Sequence, residues 1–201
     1  MSHGFGTNPE TLVVLAWAAC QPGLREILIE ARQQRKESEP ILRSRLTSAI
    51  PPVFEQDLVY GQAYHCLFLY RLEQVEYTYV DWALRGYSSV YLKESDETRA
   101  ASENAEASGC STEETALLWE AIVGGDRLER TLKRHGLSRD WIGDQHRQAQ
   151  LLRLHFTLAL SRLLVRTGEC PFLVREFLSL SLEHVNWDEL AALLHRANAA
   201  P

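Results

Sequence analysis

The stretch that most constrains the fold lies between Asp144 and Gly168, because it predicts one long helix. Aspartate is a favoured residue before a helix begins, and glycine is a favoured residue just after one ends. The residues between them, QHRQAQLLRLHFTLALSRLLVRT, are apolar around much of the helical circumference. A helix with little polar surface is normally enclosed by others. We therefore expect it to be the central, most buried helix of a helical domain.

Helix signals of the same kind occur throughout the N-terminal half of the chain. Thr7 or Asn8 can cap a first helix, with Pro9 in its first turn. A second helix is predicted from an apolar stripe at helical spacing: Leu24, Ile27, Leu28 and Ala31. A third, short helix is predicted over residues 41–50, before a pair of prolines.

Residues 53–85 are the most aromatic part of the chain and predict further helices. One predicted face combines Tyr60, Tyr64, Leu67 and Phe68, and the next combines Val75, Tyr79, Trp82 and Ala83. The alternation of Val75, Tyr77 and Tyr79 would also suit a strand. Core packing is the preferred interpretation of this aromatic stripe, and a groove that receives a peptide is the alternative.

The C-terminal half contains clearer capping patterns. Ser111 with Glu114 predicts a capping box at the start of a helix. The short helix that follows it ends at Gly136, and Asn186 with Glu189 caps the last one. Together these signals predict helices from one end of the chain to the other.

The predicted fold is all-α: a single globular bundle of about eight to ten helices formed by residues 1–201. Residues 93–110 lack large apolar side chains, which predicts a polar loop or frayed segment. This connector separates an N-terminal part, 1–92, from a C-terminal part, 111–201. The preceding heptapeptide GYSSVYL, 86–92, is expected to anchor the chain to the core before the loop departs.

Charge and composition restrict the class of partner. A net charge of −6 and a pI near 5.7 argue against nucleic-acid or anionic-membrane binding but leave room for basic peptides. The four cysteines have no short spacing, which predicts reduced thiols. LVVLAWAAC, ending at Cys20, lacks the basic start of a signal, and no window reaches about 20 apolar residues. We expect a cytoplasmic monomer or homodimer without membrane insertion.

Common catalytic motifs are absent from the sequence, including a phosphate-binding glycine loop, G-x-S-x-G and H-E-x-x-H. Their absence removes the common enzyme classes that such motifs reveal, although it does not exclude an enzyme. We predict no enzymatic activity, no bound metal and no cofactor. His146 and His155 are nine residues apart on one helix and face different directions. We interpret His155 as a hydrogen-bonded core or boundary residue and His135 as a helix-end residue. His184 and His195 leave open a metal or acid–base site assembled with scattered acids.

Two short motifs resemble the molybdoenzyme maturation chaperones of the TorD, NarJ and DmsD group, which are acidic all-helical proteins of similar length. YSSVYL resembles that family's P-x-x-S-V-Y/W motif through Ser89, Val90 and Tyr91. GDQHRQAQLLRLHF resembles its E-P-x-D-H loop and following helix through Asp144 and His146. The first motif lacks its proline, and the second lacks its Glu-Pro pair.

The resemblance implies a non-catalytic chaperone that binds the leader peptide of a redox enzyme subunit during maturation. Its implied peptide-binding residues are the five that match the two motifs. An apolar groove would take the hydrophobic part of the peptide, and Asp144 with neighbouring acids would pair its arginines. His146 would be a hydrogen-bonding or structural residue. An adaptor or immunity-type protein that neutralises a partner, and a helical metal-dependent enzyme, are the alternatives.

Overall fold

The computed structural model describes residues 8–21, 23–34, 36–48, 54, 57–84, 110–138, 141–166 and 172–199. Helices dominate these ranges and no strand occurs within them, so the all-α prediction is confirmed. The helices are α1 Pro9–Ala19, α2 Leu24–Gln33, α3 Glu39–Ser48, α4 Gly61–Glu73, α5 Tyr77–Leu84, α6 Glu113–Gly124, α7 Asp126–Arg134, α8 Gln145–Arg166, α9 Phe172–His184 and α10 Trp187–Ala199.

Helix α1 begins at a cap that also joins it to another part of the chain. The Asn8 side chain accepts a hydrogen bond from the Thr11 backbone N–H at 2.8 Å, as predicted for a cap. The Asn8 amide also donates to the Gln74 carbonyl at 2.7 Å. The Thr11 hydroxyl accepts from the Glu76 backbone N–H at 2.9 Å. The start of α1 is therefore fixed against the connection between α4 and α5.

The predicted stripe of α2 faces the core, since Leu24, Leu28 and Ala31 are buried and Ile27 is partly buried. Helix α3 begins slightly before the predicted start. No single helix in the described ranges has both the length and the apolar character needed to cross a membrane; only the bent pair α1 and α2, taken together, meets those criteria.

The aromatic region forms two helices, and only the first has the predicted register. In α4, Tyr64, Leu67 and Phe68 are fully buried, which confirms that this stripe is core. In α5, Tyr77 and Val80 are the buried residues, whereas the predicted face members Tyr79, Trp82 and Ala83 are only partly buried. The predicted face was wrong because α5 begins at residue 77, so Val75 lies before the helix. The strand alternative is also wrong.

The predicted capping box of α6 is wrong. Its cap is Thr112, whose hydroxyl accepts from the backbone N–H three residues later at 3.2 Å. The Ser111 backbone N–H and hydroxyl both donate to the Glu189 carboxylate instead. Glu114 is buried and pairs with Arg71, so its carboxylate cannot return to the start of its own helix. Glu114 therefore forms a long-range ion pair instead of the predicted capping box with Ser111.

The other predicted helix boundaries in this half are confirmed where the structure describes them. Helix α7 ends before Gly136, which has φ +67°. Asp144 caps α8, and the Asn186 side chain accepts from the Glu189 backbone N–H at 3.1 Å at the start of α10.

Helix α8 is not the most buried helix, contrary to expectation. One face, including Leu152 and Phe156, is fully buried. On the other, Leu154 is 53% exposed, Leu158 46% and Val165 81%. Its main neighbour is α10, so much of its circumference stays open. Helix α9 is the more central one, because it packs against α1, α4, α6 and α8.

A single hydrophobic cluster includes buried residues from both the N-terminal and C-terminal parts. The most extensive contacts between the parts are made by α4 with α6 and α9, and by α1 with α9. The predicted connector up to residue 109 and the heptapeptide 86–92 lie outside the described residues.

Candidate functional site

Two of the five predicted peptide-binding residues fall in the described part of the chain. Ser89, Val90 and Tyr91 lie outside it. Asp144 is the cap of α8, with its carboxylate accepting from the Arg147 backbone N–H at 3.1 Å and lying 3.4 Å from that of His146.

His146 belongs to an exposed polar cluster that joins the starts of α8 and α10. Its Nδ1 is 2.9 Å from Asp188 Oδ1, and its Nε2 is 2.9 Å from Gln150 Nε2. The hydrogen bond to Asp188, then the Asp188 charge and more weakly that of Asp144, raise the pKa of His146. Neither His146 nor Asp144 lines either of the two cavities described next. Their local role is to start and orient a helix.

Two cavities border the turn formed by residues 57–60, just before α4. A cavity of about 510 Å³, here the larger cavity, lies between this turn, the end of α6 and the start of α7. A second cavity of about 370 Å³, here the histidine cavity, lies between the turn, His135 and α8. Both are lined by Asp57 and Val59, so the two cavities adjoin at the turn.

The histidine cavity contains a close pair of titratable side chains. The Tyr60 hydroxyl and His155 Nε2 form a hydrogen bond of 2.6 Å. The ring of His135 lies against that of His155, with centroids 4.8 Å apart. The cavity is also lined by Arg162 and Leu158, which lie on the same helix as His155.

Burial and charge keep this pair in its uncharged form at neutral pH. Burial, followed by the charges of His135 and Arg162, lowers the pKa of His155. Burial also raises the pKa of Tyr60 to about 12, with Asp57 raising it further and Arg162 opposing this. The cavity therefore offers a protonated phenol and a neutral imidazole, beside a permanent cation.

The turn that places Tyr60 is held by two local features. Asp57 Oδ1 accepts from the backbone N–H of Val59 at 3.0 Å and of Tyr60 at 2.8 Å. Gly61 follows directly, and a Cβ built there would lie 1.9 Å from the carbonyl oxygen of Phe54. Only glycine allows the two backbone segments to approach this closely.

A second polar cluster is sealed inside the bundle. Arg71 in α4 pairs with Glu10 of α1 and Glu114 of α6. Its guanidinium also donates to the Ser181 hydroxyl at 3.1 Å and to the Leu180 carbonyl at 3.2 Å, both in α9. Arg71 and its two carboxylates are each at most 5% exposed. We name this set the Arg71 cluster, and its position gives it a structural role.

Sequence reasoning identified some of these residues but not their assembly. The bond to Tyr60 confirms the predicted hydrogen-bonded character of His155, and His135 does lie at the end of α7. The helical spacing places Tyr60 on the core stripe, and no motif in the sequence includes Arg162. Tyr60 and His155 are 95 residues apart, so no spacing pattern could have brought them together.

Within the described ranges, no group of three or more His, Cys, Asp or Glu side chains is placed to hold a metal ion. Comparisons with protein-family models, curated proteins and solved structures give no match for this chain.

Proposed function

We propose that this protein is a non-catalytic helical binding protein that holds a peptide segment of a partner at the two adjoining cavities. The observation that supports this most is that the two cavities share Asp57 and Val59 of the 57–60 turn. Each cavity is also lined by an exposed leucine, Leu58 at 65% and Leu158 at 46%. Exposed apolar side chains beside a cavity favour an apolar ligand surface.

The size and chemistry of the cavities suit successive side chains of a peptide. Both volumes lie within the range of roughly 300–1,000 Å³ that is usual for ligand pockets. Apolar contacts would supply affinity, while a few polar groups would fix register and direction. The larger cavity is lined by both signs of charge, from Asp57 and Asp126 and from Arg127 and Arg130.

The most specific form of this proposal is a chaperone that binds the leader peptide of a redox enzyme subunit. Asp126, an exposed acid that lines the larger cavity, would pair an arginine of such a peptide. In this form Asp144 and His146 would be peripheral contacts, since the exposed cluster at the start of α8 is separate from the cavity linings. An adaptor or immunity-type protein would use the same surface for a different partner.

A second candidate is an enzyme that uses Tyr60 and His155 for proton transfer. The observation that favours it is their 2.6 Å hydrogen bond beside an open cavity. Binding remains the better-supported function, because an exposed leucine lines each of the two cavities.

Affinity capture from the native host, with mass spectrometry of the retained protein, tests the proposal. We expect Leu58→Asp and Leu158→Asp to reduce recovery of the partner. Leu12→Asp is the matched control, because Leu12 is 54% exposed on α1 and lines neither cavity. Recovery of a redox enzyme subunit would favour the chaperone, and recovery of a toxin the immunity protein.

Equal recovery by both cavity variants and the control would overturn the proposed site. Conversion of a substrate that Tyr60→Phe abolishes would favour the enzyme instead.

A further inference from the structure

We infer that the histidine cavity binds a carboxylate group of the partner peptide, from an acidic side chain or from the chain end. The inference rests on the proposed function, because it names the chemistry of one contact in the proposed site. It differs from the pairing of peptide arginines, which concerns the larger cavity.

The first observation is an arginine that faces the cavity without an acidic partner. Arg162 lines the histidine cavity, and in the described part of the chain no carboxylate lies within ion-pair distance of its guanidinium. A guanidinium presents a planar fork of N–H donors that matches a carboxylate geometrically. A carboxylate entering the cavity would supply the missing partner.

The second observation is that further polar side chains line the same cavity. They are the exposed His135 and the hydrogen-bonded pair of Tyr60 and His155. Arg162 places a permanent positive charge beside His155, and the charged form of His135 acts on it in the same direction. The inner wall therefore favours negative charge on a ligand.

The nearby carboxylate of Asp57 is not the acidic partner of Arg162. Its Oδ1 already accepts two backbone N–H groups in the turn, and Asp57 has a further interaction as well. It influences Tyr60 but is not among the charges that act on His155. The anion-favouring region is therefore the side of the cavity formed by α8 and the end of α7.

The remaining wall distinguishes a carboxylate on a short aliphatic chain from an inorganic anion. Val59, Leu158, Ala159 and Leu163 line the cavity beside the polar groups. Methylene groups next to a carboxylate would cover this apolar surface, whereas a bare phosphate would leave it in contact with water. About 370 Å³ leaves room for such a chain.

Binding of a carboxylate should be linked to protonation of His155. A negative charge beside the imidazole would raise the pKa of His155 from its lowered value in the free protein. Binding would then take up protons, and affinity would increase as the pH falls from the pKa of His155 in the complex towards its lowered pKa in the free protein. The titratable and charged groups that line the cavity with His155 are Tyr60 and Asp57 from the turn, His135 at the end of α7 and Arg162 from α8.

The test is an NMR titration of the full chain with small probes, following the His155 imidazole resonances. N-acetylglutamate α-amide presents only a side-chain carboxylate, and N-acetylglycine presents only a chain-end carboxylate. N-acetylglutamine α-amide is the neutral control. We expect saturable shifts and a raised pKa of His155 with one or both carboxylate probes, and neither effect with the neutral probe.

Two arginine variants separate this site from general charge attraction. Arg162→Gln should weaken carboxylate binding about tenfold or more, the loss expected for one charge-assisted contact. Arg153→Gln should bind like the unmodified protein, because Arg153 is exposed on the same helix but does not line the cavity. Both positions are exposed, so both variants should fold.

Absence of a carboxylate-specific shift, or equal binding by the two arginine variants, would overturn the inference. Tighter binding of inorganic phosphate than of either carboxylate probe would also overturn it. These outcomes are distinct from failure of the proposed function, which is measured by partner capture with the leucine variants and requires no carboxylate.

Discussion

The Arg71 cluster and the histidine cavity each hold an arginine among helices, but they differ in what surrounds it. Arg71 is 5% exposed and meets two carboxylates, a hydroxyl and a carbonyl. Arg162 is exposed and, within the described residues, meets no carboxylate. A charge can be buried only if its partners are built into the fold. At an open site, a charged side chain can remain without a protein partner because water solvates it. A ligand can then supply the missing partner.

The largest expected effect comes from removing the central member of the sealed cluster. Arg71→Met should lower the free energy of unfolding by about 3–5 kcal/mol, because Glu10 and Glu114 would be left buried without a partner. Urea unfolding measures this. Arg153→Met is the control and should change stability by less than about 0.5 kcal/mol.

A triple variant tests the cause of that loss. Adding Glu10→Met and Glu114→Met to Arg71→Met removes the unpaired charges and should restore most of the stability. If the triple variant were as unstable as the single one, the loss would come from packing instead.

The next effect concerns the turn beside the open cavities. Gly61→Ala should destabilise the protein by about 1–3 kcal/mol, because the new Cβ would overlap the Phe54 carbonyl. Gly124→Ala is the matched control, since nothing lies within 4 Å of a Cβ built there. That control should be neutral or stabilising by up to about 1 kcal/mol. Equal stability of the two variants would show that the turn tolerates displacement.

Two tyrosines allow the sealed and open environments to be compared directly. The Tyr64 hydroxyl donates to the Phe156 carbonyl at 2.6 Å and is fully buried, whereas Tyr60 is only partly buried. Tyr64→Phe should cost about 1–3 kcal/mol, because it leaves a buried carbonyl unpaired. Tyr60→Phe should cost about 0.5–1.5 kcal/mol, because water can reach His155. The reverse order in thermal or urea unfolding would contradict this comparison.

The smallest effects are pH-dependent and have opposite signs for two histidines of α8. The pKa of His155 is lowered, so the unfolded chain binds more protons and this residue reduces stability as the pH falls through 6.5. The pKa of His146 is raised, so its contribution is present below 6.5 and is lost as the pH rises through the folded-state value. His155→Gln should therefore improve relative stability at acid pH, and His146→Gln should reduce it there. Unfolding midpoints measured between about pH 5 and pH 8 test both; parallel pH profiles for the two variants would contradict the assignment.

Local signals in the sequence predicted the helices well, because a cap depends on residues within one turn. Asn8, Asp144 and Asn186 each cap a helix as predicted. The capping box at Ser111 and Glu114 failed where a distant residue competed for the same carboxylate. The local rule cannot include such a competitor.

Residues brought together over long separations could not be predicted in this way. The sequence predicts a hydrogen bond for His155, but nothing in it identifies Tyr60 as the partner. The apolar side chains of α8 predicted full burial, yet Leu154, Leu158 and Val165 are exposed. Composition indicates how much apolar surface a helix has, and only the arrangement of its neighbours decides how much is covered.

The Arg71 cluster also has a consequence for the order in which the chain can complete its fold during synthesis. Its members come from positions 10, 71, 114 and 180–181, so almost the whole chain must leave the ribosome before every contact can form. Until α9 is made, the nascent bundle lacks two of the acceptors around its central cation, and domains generally complete folding as units. We expect chains truncated before α9 to stay accessible to proteases. Protection from proteolysis should therefore appear only when the chain is long enough to complete the cluster.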